Sequence, residues 1–301
     1  SLYLKNNVIY FHAGNYSVDS ASKSYIDTSG WHHVAGTYDK QNIRIYVDGV
    51  EGASDTKTAS LDYTGALGFY IGTTDPAPDY SFDGKVDDVR IYNYARTPAQ
   101  IAWDYNHAKP KLHFKFDENT GATAYDYYKT KNGDLTGHSP DWTGAADQCK
   151  FNYCLDFTPA NTDYVDVGNT GIGANLQAVS FWIYPDFIVS QNIIDFDAGT
   201  HKITTDASGN LTANGWSSPT IYINGRTQGS PLQTGQWQHI AITTATAFSP
   251  SDVDFGRVAA SYFDGRLDEI KFYTYPLTAA QVKQDANQGA GIRFGPSSGL
   301  P

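Results

Sequence analysis

Carboxylates are the main chemical resource of this chain, and nearly all of them are aspartates: of 32 acidic residues only Glu51, Glu118 and Glu269 are glutamates. Hydrolysing a glycosidic bond takes two carboxyl groups held roughly 5–9 Å apart across it, and three scattered glutamates cannot assemble such a pair locally. No Ser-His-Asp signature, phosphate loop or His-x-x-x-His metal motif is present. Calcium is a second chemistry open to aspartates, because a hard cation collects oxygens from Asp, Asn and loop carbonyls. The best loop for it carries Asp117 and Asn119, with Asp126 and Asn132 behind, and Asp75, Asp79 and Asp83 form a second set. The same residues serve equally as Asx turns, in which Asp and Asn bond their own backbone. Sugar binding without catalysis would use exposed rings that stack on pyranose faces. The loop aromatics Tyr63, Tyr80, Tyr127, Tyr128, Trp142 and Trp216 are the candidates, whereas Trp31, Trp182 and Trp237 fall in strand patterns and are expected in the core.

Two further aspartates call for partners. Period-two alternation puts Asp87 on one face with Val89 and Ile91, and Asp268 with Ile270 and Phe272. A carboxylate on an apolar face must be hydrogen-bonded or paired. His33, His239 or backbone amides are the expected partners, in a structural tie between strands, so Asp87→Ala should destabilise the first module. The only cysteines, Cys149 and Cys154, are spaced to close a small loop as a disulfide, which would imply an oxidising compartment; two unpaired thiols on neighbouring strands are the alternative.

The elements that must position these groups read as strands. Tyr is frequent at 22, Gly stands at 28 and Met is absent. A Glu-poor, Asp-rich, Tyr-rich chain favours strands joined by many turns. The net charge of −11, with no cluster of Lys and Arg, excludes a nucleic-acid binder, and no apolar run is long enough for membrane insertion. Ile43–Gly49 and Thr220–Gly225 alternate and end in Asp-Gly and Asn-Gly turns. Thr97 and Thr278 are expected helix N-caps, each with Gln three residues on.

Internal repetition organises the whole. Phe82–Tyr92 (FDGKVDDVRIY) returns as Phe263–Tyr273 (FDGRLDEIKFY), and Trp31–Ala35 (WHHVA) returns as Trp237–Ala241 (WQHIA). Two modules follow, residues 1–108 and 109–287, with a flexible Gly- and Pro-rich tail at 288–301. The first module lacks any counterpart to residues 112–186 of the second, so it should be short of its opening strands and expose an open edge. Strand complementation would then come from an earlier part of a parent chain, another copy or the tail.

These linked motifs resemble the laminin-G-like, concanavalin-A-like lectin superfamily, as do Phe116–Gly121, Leu155–Phe157 and Val179–Pro185 in the second module. The order of the Trp-His and Tyr-x-Asp/Asn-Gly strands is reversed between modules, which marks the second as a rearranged variant. The resemblance implies an all-β fold of two antiparallel jelly-roll sandwiches with a short helix near each module's end. Family members bind glycans, proteins or lipids, and some are glycosidases. Laminarinase-like members carry Glu-x-Asp-x-x-Glu on one strand, a motif absent here. The expected protein is therefore secreted or cell-surface and non-catalytic, with glycan or a cell-surface protein as partner and calcium as the one cofactor considered. A structural spacer without its own ligand is the alternative, and a glycoside hydrolase the remote one.

Overall fold

Residues that tolerate a left-handed backbone set the turns of this protein. In the computed structural model the described residues are 1–13, 20–24, 30–56, 70–73, 81–106, 109–138, 140–144 and 148–287. Tyr63, Tyr80, Asp75, Asp79 and the C-terminal tail lie outside them. The chain divides into two compact units, residues 1–108 and 109–301.

In the first unit β1 (Leu2–Lys5) and β2 (Val8–His12) are joined through Asn6 and Asn7, both at positive φ, and β3 (Ser20–Ser24) pairs β2. A second antiparallel sheet holds β4 (Val34–Tyr38), β5 (Asn42–Val47) and β6 (Val50–Thr56), with β5 in the middle. Alternation along β5 sends Ile43, Ile45 and Val47 inward, where they pack with Ile9, Ala13 and Ala21 of the first sheet region. Helix α1 (Pro98–Tyr105) begins at Thr97, whose side chain accepts from the Gln100 amide while the Gln100 side chain accepts from Thr97 N–H.

Residues 82–92 depart from expectation. They form no strand, and Phe82, Val86, Val89 and Ile91 are exposed at 45%, 50%, 50% and 72%. Asp87 is exposed too, and its carboxylate accepts from the neighbouring Asp88 amide at 2.9 Å. The inward-facing tie expected of Asp87 is corrected accordingly: a strand has an inner face only when a sheet surrounds it. Trp31 is likewise corrected from core to surface, at 66% exposure.

The second unit is a full sandwich. Its strands begin with β7 (Leu112–Phe114), β8 (Thr123–Ala124), β9 (Gly133–Asp134), β10 (Asp141–Thr143), β11 (Cys154–Phe157) and β12 (Val165–Gly168). They continue with β13 (Leu176–Pro185), β14 (Asn192–Asp195), β15 (Lys202–Thr205), β16 (Leu211–Asn214), β17 (Thr220–Ile223) and β18 (Arg226–Thr227). The last are β19 (Gln238–Phe248), β20 (Val253–Phe255), β21 (Arg257–Val258), β22 (Ser261–Tyr262) and β23 (Gly265–Tyr273), before helix α2 (Ala279–Ala286). One sheet runs β10-β11-β23-β13-β19-β17-β18, with β7 also on β23; the facing sheet runs β16-β15-β14-β20-β12-β9-β8. Both bury their inner faces in a single apolar core that includes Phe114, Phe157, Phe181, Phe196, Phe255 and Phe272.

A bulge interrupts the central strand. Trp182 stands opposite Asp268 and Ser180 opposite Lys271, so β23 spends one more residue than β13 over that span, and Glu269 takes φ 54°. The phase flips there: Leu267 and Ile270 both face the core, while Asp268 joins Trp182 on the outer face. The period-two grouping of Asp268 with Ile270 and Phe272 is thereby corrected.

The reversed motif order has a simple outcome. Tyr46 pairs Ala35 in the first unit and Tyr222 pairs Ala241 in the second, in the same antiparallel register. Asp48 Oδ1 accepts from the His33 amide and Asn224 Oδ1 from the His239 amide, at 3.0 and 2.9 Å. Asp48 and Asn224 both take φ 51°, each followed by a positive-φ glycine. One sheet contact is thus built twice with opposite chain order.

Candidate functional site

The path of the chain after β7 builds an open groove. Asp126 is almost fully buried, and its carboxylate accepts from the amides of His113 and Thr130, both at 2.8 Å. Its own amide donates to Asn132 Oδ1. The Phe114–Asp126 bridge beside this tie is the neck that closes off residues 115–125. Alternation about the buried Asp126 turns Tyr125 and Tyr127 outward, at 55% and 59% exposure. Together with Lys115, Asp117, Glu118, Lys129 and Asn132 they line a cavity of about 700 Å³ that is open to solvent.

Each lining group has a physical setting. Lys115 Nζ sits 4.3 Å from the centre of the Tyr127 ring, and Tyr128 packs edge-on against Tyr127 at 5.2 Å. Glu118 Oε1 accepts from the Tyr125 amide at 3.0 Å, while Oε2 is buried and accepts nothing from the protein. Burial, with a smaller contribution from the Asp117 charge, raises the Glu118 pKa. The groove therefore offers two exposed aromatic rings, the carboxylates of Asp117 and Glu118 along its lining and two ammonium groups.

The other site candidates fall elsewhere. Trp216 is buried against Phe196 and Phe248 in the core, so its reading as a ligand platform is corrected: the turn that precedes it drives the ring inward. Trp142 is half-buried, packs on the core and donates its indole N–H to the Gly121 carbonyl. Asn119 is exposed at φ 60°, and Asp83 is exposed in the first unit. Both Asp126 oxygens accept from amides, and among the described residues no three His, Cys, Asp or Glu side chains are placed to share a metal ion.

Sequence reasoning missed Tyr125, Lys115 and Lys129 as groove residues. The signal was present for Tyr125, since Tyr125-Asp126-Tyr127 alternates about a residue that the fold buries.

The expected structural partners are rearranged. His239 meets Asp285 of α2 at 3.2 Å, not Asp268. His33 uses its backbone N–H on Asp48, and the neighbouring His32 ring meets the same carboxylate at 2.8 Å. Asp268 lies fully buried beneath the Cys149–Cys154 disulfide loop, where Oδ2 accepts from the Phe151 amide at 2.9 Å.

A second acidic feature crosses the facing sheet. Asp134, Asp166, Asp254 and Asp195 are cross-strand partners in sequence on β9, β12, β20 and β14. Burial pushes the Asp254 pKa up to about 6, against the pull of Arg257 at 2.6 Å. Asp195 is held by the amides of Asp197 and Gly199. These ties make the row a feature of sheet construction. No helix of the described residues is long and apolar enough to cross a membrane.

Several solved structures are similar to part of this chain. Domain 4 of AbnA, a GH43 extracellular arabinanase from Geobacillus stearothermophilus solved with arabinotriose, is 17% identical over 59% of this chain and 98% of its own, with a TM-score of 0.42. The binding domain of Paraclostridial Mosquitocidal Protein 1 is 14% identical over 60% of this chain and 52% of its own, with a TM-score of 0.44. An S-layer domain-containing protein from Clostridium thermocellum is 21% identical over 33% of this chain and 50% of its own, with a TM-score of 0.25. No curated protein matches the sequence. The family profile described as the concanavalin A-like lectin/glucanases superfamily matches residues 3–102 and 159–249, one stretch in each unit. With the repeated strand motifs and the paired antiparallel sheets, that match establishes that the chain belongs to the concanavalin A-like lectin/glucanases superfamily.

Proposed function

We propose that the second unit binds carbohydrate, without cleaving it, at the groove lined by Tyr125 and Tyr127, and that the protein works outside the cell. The observation that carries this reading is the pair of exposed tyrosines sharing one open groove with the Asp117 and Glu118 side chains. Sugar rings present apolar C–H faces to aromatic rings and hydroxyls to carboxylates, and the groove supplies both. The ammonium groups of Lys115 and Lys129 add donors for hydroxyl oxygens. The Cys149–Cys154 disulfide supports an oxidising compartment.

A glycan array followed by titration calorimetry on the best glycan tests it. Tyr127→Ala and Tyr125→Ala are each expected to weaken binding about tenfold or more, the scale of losing one central contact. Chelation with EDTA is expected to leave affinity unchanged, because the Asp126 oxygens are already engaged. Full binding by the double tyrosine variant would remove the groove as the site. No glycan bound at all would leave a spacer unit, and release of reducing ends would make the protein a hydrolase, with Glu118 and Asp117 as its first suspects.

A further inference from the structure

The hairpin of β17 and β18 borders a second cavity of the second unit. It holds about 540 Å³ and opens to solvent, a size that suits a small ligand. Its first wall follows from the turn. Asn224 and Gly225 reverse the chain at φ 51° and 75°, and Ile223 and Arg226 stand opposite each other as cross-strand partners. Residues 229–233 supply the other wall, which is tied at several points. The Gln228 amide donates to the Ile221 carbonyl at 2.9 Å, and the Leu232 amide to the Gly209 carbonyl at 3.0 Å. The Leu232 side chain is buried in the core. Gln238, only 2% exposed, grips Gln233 twice: its Oε1 accepts from the Gln233 amide at 3.1 Å, and its Nε2 donates to the Gln233 carbonyl at 2.8 Å. A wall held in this way is preorganised, so a ligand that enters has little chain to order.

Charge indicates the kind of ligand. Among the described arginines, Arg44, Arg90, Arg96, Arg257 and Arg266 each meet an aspartate of this chain at 2.5–3.0 Å. Arg226 meets no carboxylate among the described residues, and no Asp or Glu among them lines the cavity that it borders. In a chain with 32 acidic residues against 21 basic ones, that arginine is out of pattern. Beside it Thr227, Ser230 and Gln233 bring polar groups, while Ile223 and Pro231 bring apolar surface. A guanidinium fork takes a carboxylate through two parallel N–H donors. Hydroxyl and amide groups match the hydroxyls of a sugar ring, and the apolar residues match its C–H face.

We propose that this cavity is a second carbohydrate site, selective for a sugar that bears a carboxylate, with Arg226 paired to that carboxylate. It shares no lining residue with the groove of Tyr125 and Tyr127 and does not rest on the reading of that groove.

Ligand-detected NMR on the whole chain tests it, with glucuronate, galacturonate and the uncharged methyl ester of each as probes. At least one uronate is expected to bind, and its ester to bind more weakly by about tenfold or more, the scale of one charge-assisted pair. Arg226 is exposed, so Arg226→Gln is expected to melt with the parent chain and to weaken uronate binding by about the same factor. The Tyr125→Ala, Tyr127→Ala double variant is expected to bind the uronate as the parent does, which separates this site from the groove. Failure of both uronates to bind the parent chain overturns the proposal. An ester that binds as tightly as its acid, or undiminished binding by the Arg226→Gln chain, overturns it as well. Loss of uronate binding in the double tyrosine variant would also overturn it, by moving the uronate to the groove.

Discussion

Asp285→Ala is expected to lower the melting temperature of the second unit by on the order of 10 °C in a calorimetric scan at pH 7. Asp285 is a hub on α2. It accepts from Lys271 Nζ at 2.8 Å and from the hydroxyl of Ser180, and lies 3.2 Å from His239 Nε2 and 3.4 Å from the Tyr273 hydroxyl. Burial alone would raise its pKa, but His239 and Lys271 outweigh that and hold it far below the usual carboxylate range. Removing the carboxylate strands the Lys271 ammonium, which is largely buried and, among the described residues, has Glu269 at 3.7 Å as its other anion. Truncating one side of such a buried pair costs about 3–5 kcal/mol, mostly because the remaining charge is uncompensated. The Lys271→Met, Asp285→Leu double substitution is expected to recover much of the loss; a single variant melting within a degree of the parent would show that the hub carries little.

The second large effect is a dependence on pH. Burial pushes the Asp268 pKa up to about 8, because the Phe151 amide offsets only part of the desolvation and the charges of Glu269 and Asp117 add to it. The folded value thus stands above the unfolded one of about 3.9. Between those values the folded protein holds a proton that the unfolded chain has released, so stability is full below about pH 4 and falls as pH rises through about 8. The upper limit of this loss is of the order of 5 kcal/mol. Asp268→Asn is expected to flatten the fall between pH 5 and 9 by several kcal/mol. Asp254, raised to about 6, contributes in the same direction over a lower range and stays in the variant, so the comparison isolates Asp268. Parallel parent and variant curves across that range would rule the assignment out.

How much of this was legible in the sequence follows the reach of each signal. Local chemistry read well: Asp48-Gly49 and Asn224-Gly225 turn with positive φ, and Thr97 and Thr278 cap their helices with Gln100 and Gln281. The β-sandwich family and the Cys149–Cys154 bond were legible for the same reason. Features that depend on distant segments were not. Nothing near Asp268 in sequence announces a bulge, and period two fails once one residue is inserted. His239 finds Asp285 across 46 positions, a pairing chosen by where α2 lands on the sheet. Phe82–Tyr92 carries a strand pattern yet forms no strand, because a strand also needs neighbours, and the described residues of the first unit provide none.

The tie between the Asx turn and the histidine strand has a kinetic side. His33 and Asp48 are 15 positions apart, and so are Asn224 and His239, although the chain visits the two partners in opposite order. The entropy lost on closing a loop depends on its length and not on its direction. Both units therefore search the same volume to make this contact, and swapping which strand leaves the ribosome first carries no penalty in the unfolded chain.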